Sequence, residues 1–151
     1  MTFSSFAAGF GCAALGLALA GVSLAGAEDA ASQETDAALS LELNAVQQNQ
    51  SGCRVTFVVN NGLDTDLTKA AFEFAIFDRK GIVDRLAVLD FKELPKGKTK
   101  VTRFDLPSTQ CDGIGRILVN SVTGCEGPSV TAEICISGLA TSTRANVIFG
   151  K

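Results

Sequence analysis

The residues able to do chemistry are few, and four cysteines lead them. With Cys12 set aside as part of the N-terminal apolar block, Cys53, Cys111, Cys125 and Cys135 form an even set. In an exported chain such a set reads as two disulfides. A zinc site is the competing chemistry. It would need four scattered thiolates, because no Cys-x-x-Cys pair occurs and the 151 residues contain no histidine. Asp64-Thr65-Asp66 with Asn61 offers oxygen ligands for calcium, but the EF-hand spacing puts Ala75 where the distant carboxylate belongs. A solvated loop is the plainer reading, and no metal is expected.

The absent residue types exclude more. Without histidine neither Ser-His-Asp nor Cys-His catalysis can be assembled, and with Met1 the only methionine there is no Met/His copper site. Tryptophan and tyrosine are missing too, so phenylalanine is the only aromatic platform for a sugar or a single-stranded nucleic acid. Gly113-x-Gly115 lacks the further glycine and the helix of a phosphate-binding loop. Carboxylate pairs among Asp64, Asp66, Asp78 and Asp84 are the one catalytic device that composition leaves open. The expectation is no enzyme and no cofactor. A net charge of −3 gives no electrostatic case for nucleic acid. Asn49-Gln50-Ser51 fits a glycosylation acceptor, with turn residues as the simpler reading.

The elements that position these residues are strands. Phe72, Phe74 and Ile76 alternate on one face, and Asp78-Arg79-Lys80-Gly81 then supplies a turn. Leu39, Leu41 and Leu43 mark an earlier strand, and Cys53, Val55, Phe57 and Val59 a second whose odd positions face the core. Ile82 to Phe91 returns from the turn with mixed parity. Val83, Ala87, Leu89 and Phe91 share one face with Arg85; Ile82, Leu86 and Val88 share the other with Asp84 and Asp90, which calls for a bulge or a double-sided contact. Leu94-Pro95-Lys96-Gly97 reads as a hairpin turn into Lys98 to Leu106. Ile114 to Val122 follows, with Ile117 and Val119 inward and Arg116 and Asn120 outward. Val130, Ala132, Ile134 and Ile136 form a short apolar segment, Ser137 to Arg144 is small and polar, and Ala145 to Phe149 is a last strand.

The N-terminal block is different in kind. No charged side chain precedes Glu28, and the apolar run from Phe6 closes on Ala25-Gly26-Ala27, the small-residue pattern of a signal-peptide cleavage site. A basic n-region is lacking, which leaves an uncleaved membrane anchor as the alternative. The organisation is thus a signal peptide or anchor at 1–27, a flexible acidic leader at 28–37 and a sandwich domain at 38–151.

About seven short strands spaced by turns make an all-β, immunoglobulin-like antiparallel sandwich. If strands alternate in direction, the second and sixth begin at the same end, so Cys53 can meet Cys111 and Cys125 is left for Cys135. Three pairings are formally allowed, and cross pairing stays open. Phe74-Ala75-Ile76-Phe77-Asp78-Arg79-Lys80-Gly81 resembles the Phe-x-Leu-Tyr-Asp-x-x-Gly signature of FxLYD-type bacterial immunoglobulin-like domains, with Ile76 and Phe77 in place of Leu and Tyr. Asn60-Asn61-Gly62 resembles that family's Asn-rich turn, and Leu94-Pro95-Lys96-Gly97 its Leu-x-Pro-Gly turn shifted by one residue. The resemblance covers about Cys53 to Leu106. It implies an extracytoplasmic accessory sandwich and contributes no catalytic residues; the four cysteines are not part of its pattern.

The expected function is therefore a non-catalytic interaction or accessory module, periplasmic or secreted, that binds an envelope or membrane-complex protein. The alternative is a disulfide-stapled inhibitor of an extracytoplasmic enzyme, with Thr123 to Ser137 as the plugging loop. Candidate partner contacts are Phe77, the one large aromatic on an otherwise small face, and the cations Lys96, Lys98, Lys100 and Arg103. Those cations have a second reading as guards of a strand edge.

Overall fold

Period-two alternation becomes eight strands in the computed structural model, which describes residues 39–151. The strands are β1 (Leu39–Gln48), β2 (Gly52–Asn61), β3 (Leu67–Asp78), β4 (Val83–Leu94), β5 (Thr99–Pro107), β6 (Ile114–Glu126), β7 (Leu139–Thr143) and β8 (Ile148–Gly150). A short helix, α1 (Ala132–Ser137), lies between β6 and β7. The signal peptide or anchor and the acidic leader fall outside the described residues.

Two four-stranded sheets face each other, ordered β5-β2-β1-β7 and β4-β3-β6-β8. This is the expected sandwich, with three differences. The last two strands add in parallel, β7 along β1 and β8 along β6, so each sheet carries one parallel pair at an edge. The small, polar stretch between Ser137 and Arg144, given no strand in the sequence, is largely β7. It needs only Leu139 inside, because as an edge strand its other positions are half-buried or exposed. Third, β4 and β5 are no hairpin: the turn after Leu94 crosses between the sheets, and β5 pairs with β2. That crossing lets Phe91 and Phe104 meet inside at 5.1 Å.

The core is phenylalanine-rich. Phe57 from the first sheet touches Phe74, Phe91, Phe104 and Phe149 at centroid distances of 5.4, 5.8, 6.3 and 5.5 Å, three of them edge-on. Such tilted and edge-on pairs set a ring's positive rim on its neighbour's negative face. Leu39, Leu41, Leu43, Val55, Val59, Phe72 and Ile117 fill the layers around them.

One fully buried polar side chain ties the loops at one end of the sandwich. Asn61 Nδ2 donates to Thr65 O (3.0 Å) and Leu94 O (2.7 Å), while its Oδ1 accepts from Leu63 N (3.0 Å). Its backbone exchanges bonds with Lys98 O and Gly97 N. Replacing Asn61 with leucine keeps the branched shape and strands three polar groups. We expect a loss of about 3 kcal/mol in urea unfolding, from groups worth roughly 1 to 3 kcal/mol each when left unpaired and partly rescued by water. A loss under about 0.5 kcal/mol would show that the loops carry themselves.

Both disulfides form as strand direction suggested. Cys53 joins Cys111 with Cα atoms 5.0 Å apart, and Cys125 joins Cys135 at 6.3 Å. The first clamps the start of β2 to the loop before β6. The second holds α1 against β6.

Candidate functional site

The signature turn shows why its residue types are needed. Asp78 Oδ1 accepts from Lys80 N (2.8 Å) and Ile82 N (2.9 Å), Gly81 N donates to Asp78 O, and Gly81 takes a φ of +80°, a conformation open to glycine at no steric cost. The turn delivers β4 beside β3 with a register shift between the pairs Ile76–Arg85 and Phe77–Val83. This bulge resolves the mixed parity of β4. Asp84 is the extra residue, so Val83, expected with the core residues, stands opposite Phe77 and is exposed. A second irregularity near Lys92, whose φ is +64°, lets Leu94 re-enter the core.

The outer face of the second sheet follows from these registers. Across it run three rows: Val83, Phe77, Arg116 and Ile148; then Leu86, Ala75, Leu118 and Gly150; then Val88, Glu73 and Ser121. Leu86 is 55% exposed, Val88 57% and Ile148 67%. Phe77 is half-buried, and the Arg116 guanidinium lies 5.6 Å from its ring centroid, a cation–π contact. Glu73 accepts from Asn120 Nδ2 (2.6 Å). Ala71 and Ala75 are screened by their larger neighbours.

The outer face of the first sheet is built otherwise. Arg54 grips Asp105 through two bonds of 2.8 and 2.9 Å, Asn60 bonds Thr99, and Glu42 bonds Asn44 and Arg144. Polar groups there are matched to one another. Val101 stands alone among them, exposed but opposite Val58.

The cation cluster is dispersed by the fold. Lys96 pairs with Asp64 at 2.9 Å and its backbone N donates to Asp66 Oδ1, Lys98 sits in the turn, and Arg103 projects from the first sheet opposite Thr56. Lys100 turns the other way. Its Nζ donates to Phe91 O (2.8 Å) and Glu93 O (3.2 Å), lacing the edge of β5 to the edge of β4. Arg85 returns the favour from β4, donating to Pro107 O at 2.8 Å. These two cations thus bridge the seam between the sheets' edges. Thr102 Oγ1 is buried in that seam with no hydrogen-bond partner among the described residues.

Asp64 and Asp66 are both engaged by Lys96, and Asn61 points inward, so the calcium trio does not converge. The sequon asparagine is likewise occupied: Asn49 Oδ1 accepts from Ser51 N and Gly52 N, and its Nδ2 donates to Asp105. Thr123 to Ser137 lies against the body rather than apart from it. Pro128 O accepts from Thr65, and Lys151 Nζ donates to Ile136 O and Ser137 O. Beside Phe77, a cleft of about 170 Å³ opens between Asp84, Arg85, Thr109 and Ile114, smaller than the roughly 300 to 1,000 Å³ of small-molecule pockets.

No family model matches this sequence, and no curated protein or solved structure matches it. The geometry therefore stands on its own. It offers an apolar sheet face, not a set of converging reactive groups. Among the described residues, no three His, Cys, Asp or Glu side chains gather in a way that holds a metal, and no helix is long and apolar enough to cross a membrane. The two disulfides fit an oxidising environment.

Hydrogen bonds and ion pairs hold several carboxyls below their usual range. Asp105 is lowered by Arg54, Asp64 by Lys96, Asp90 by Lys92, and Glu42 by the Asn44 amide and then by Arg144. A depressed folded pKa adds stability above the unfolded value and loses it as pH falls through the folded one. Thermal melting is expected to be flat from about pH 5 to 8, since there is no histidine to titrate, and to fall below about pH 4. Salt should shrink the fall, because Asp64 and Asp105 are exposed and Glu42 and Asp90 only half-buried. A step near neutral pH would contradict this.

Proposed function

We propose that this chain is a non-catalytic interaction module of the periplasm or the secreted space, docking onto an envelope protein through the outer face of its second sheet. One observation carries the reading: Val83, Leu86, Val88, Phe77, Leu118 and Ile148 form a contiguous apolar surface on that face while the opposite face is polar and self-matched. Contiguous exposed apolar surface on a folded domain marks an interaction site, whereas single exposed residues do not. The FxLYD resemblance supports an accessory role.

A photo-cross-linking residue in place of Val88 tests it in the exporting cell. Protein adducts are expected at Val88 and none at Val101, which is equally exposed but isolated on the polar face. Equal labelling at both, or none at Val88, would overturn the reading. Recovery of a hydrolase cross-linked through the same residue placed at Ile134 in α1, with none at Val88, would favour the inhibitor alternative. Phe77→Ser is expected to weaken adduct formation with the fold intact.

A further inference from the structure

We infer that the protein seated on this face is a second copy of the same chain, packed face to face about a two-fold axis. The inference rests on the docking reading above and names its occupant. Its basis is the order of the three rows. The middle row, Leu86, Ala75, Leu118 and Gly150, is uncharged; one outer row contains Arg116 and the other Glu73. An axis lying in the interface along the middle row reverses the strands of the second copy. The Val83–Phe77–Arg116–Ile148 row of one copy then covers the Val88–Glu73–Ser121 row of the other. Val83 meets Val88 twice, and Arg116 meets Glu73 twice from neighbouring strands.

The charges suit that arrangement. Among the described residues Arg116 has no carboxylate partner and rests only on the Phe77 ring. The face is thus self-complementary, where an all-acidic or all-basic face would repel its own copy. The area sets the strength. Three rows about 7 Å apart and four strands about 5 Å apart give a footprint of roughly 15 by 20 Å per copy. Two copies then bury on the order of 600 Å², well below the roughly 1,200 to 2,000 Å² of stable complexes, so the pair is weak and exchanges with monomer.

Sedimentation velocity on the exported chain, from roughly 1 to 200 μM, reads this directly, since small interfaces dissociate in that range. The wild type is expected to shift from monomer toward dimer. Leu86→Glu and Arg116→Glu should each weaken association by about tenfold or more, with circular dichroism and melting temperature unchanged. Arg116→Glu combined with Glu73→Arg should recover it, because each swapped residue again faces its opposite. A wild type that stays monomeric throughout, or a Leu86→Glu chain that dimerises normally, overturns the inference. So does failure of the double swap to recover association that the single change abolished. A monomeric wild type that still gives hetero-adducts at Val88 sinks the second copy and leaves the docking reading standing. Monomer with no adduct sinks both.

Discussion

Phe57→Ala is expected to remove about 4 kcal/mol of stability, the middle of the range for emptying a buried aromatic site. Phe57 is fully buried, and its ring contacts four other phenylalanines, one of them, Phe104, from its own sheet and three from the opposite sheet. Three of those neighbours are themselves in contact through Phe74–Phe91 and Phe74–Phe149. The cavity is therefore walled by rings that already support one another and cannot all collapse into it. For a domain of this size the melting temperature should drop by roughly 15 °C. Phe104→Ala gives the comparison: its ring is half-buried at the seam, so its loss should be smaller. If Phe104→Ala proves the more damaging, the core is centred on the seam and not on Phe57.

The double change Cys53→Ala, Cys111→Ala is expected to cost about as much, by a different route. The bridge spans 58 residues, and on the chain-entropy model closing such a loop in the unfolded ensemble is worth about 4 kcal/mol. The Cys125–Cys135 bridge spans only 10, worth about 3 kcal/mol on the same model. Urea unfolding of both pairs tests the order. A larger loss from Cys125→Ala, Cys135→Ala would show that native packing of α1, not loop length, sets the scale. Against a typical total of about 5 to 15 kcal/mol, loss of the longer bridge should leave the domain marginal at 37 °C.

Local pattern made part of this fold legible. Phe72, Phe74 and Ile76 could be placed because a strand with one wholly apolar side has a single sensible orientation. Strand direction then brought Cys53 to Cys111. What stayed hidden depends on partners distant in sequence. β7 carries only one inward residue, Leu139, and is a strand because β1 offers it an edge. The run Val130, Ala132, Ile134 and Ile136 alternates like a strand, yet Thr131 Oγ1 accepts from Ile134 N and caps the helix α1 instead. β4 showed its parity conflict openly, but not that Asp84 was the inserted residue.

The site divides the same way. Phe77 stood out as the single large aromatic on a small-residue face, and Leu86 and Val88 were readable together on the second face of their strand. Leu118 and Ile148 join them only through the registers of β6 and β8, which no local pattern encodes. Lys100 and Arg103 sit close in sequence but not together in the fold, since the parity of Lys100 within β5 sends it to the seam and away from Arg103.

The parallel pairing of β7 with β1 carries a kinetic consequence. Leu39 lies opposite Leu139, so this contact waits for two points 100 residues apart to find each other. Pairings so far from local slow folding, because loop-closure entropy is spent before the contact forms. Once oxidised, Cys53–Cys111 offers a short cut of roughly 14 residues from Leu39 to Cys53 and roughly 28 from Cys111 to Leu139. Shortening the path to about two-fifths lowers the closure barrier by about 0.8 kcal/mol, close to a fourfold gain in rate if that step is limiting. Oxidation would then act as a timer for the sheet edge, setting when β7 docks as well as how firmly the finished domain holds.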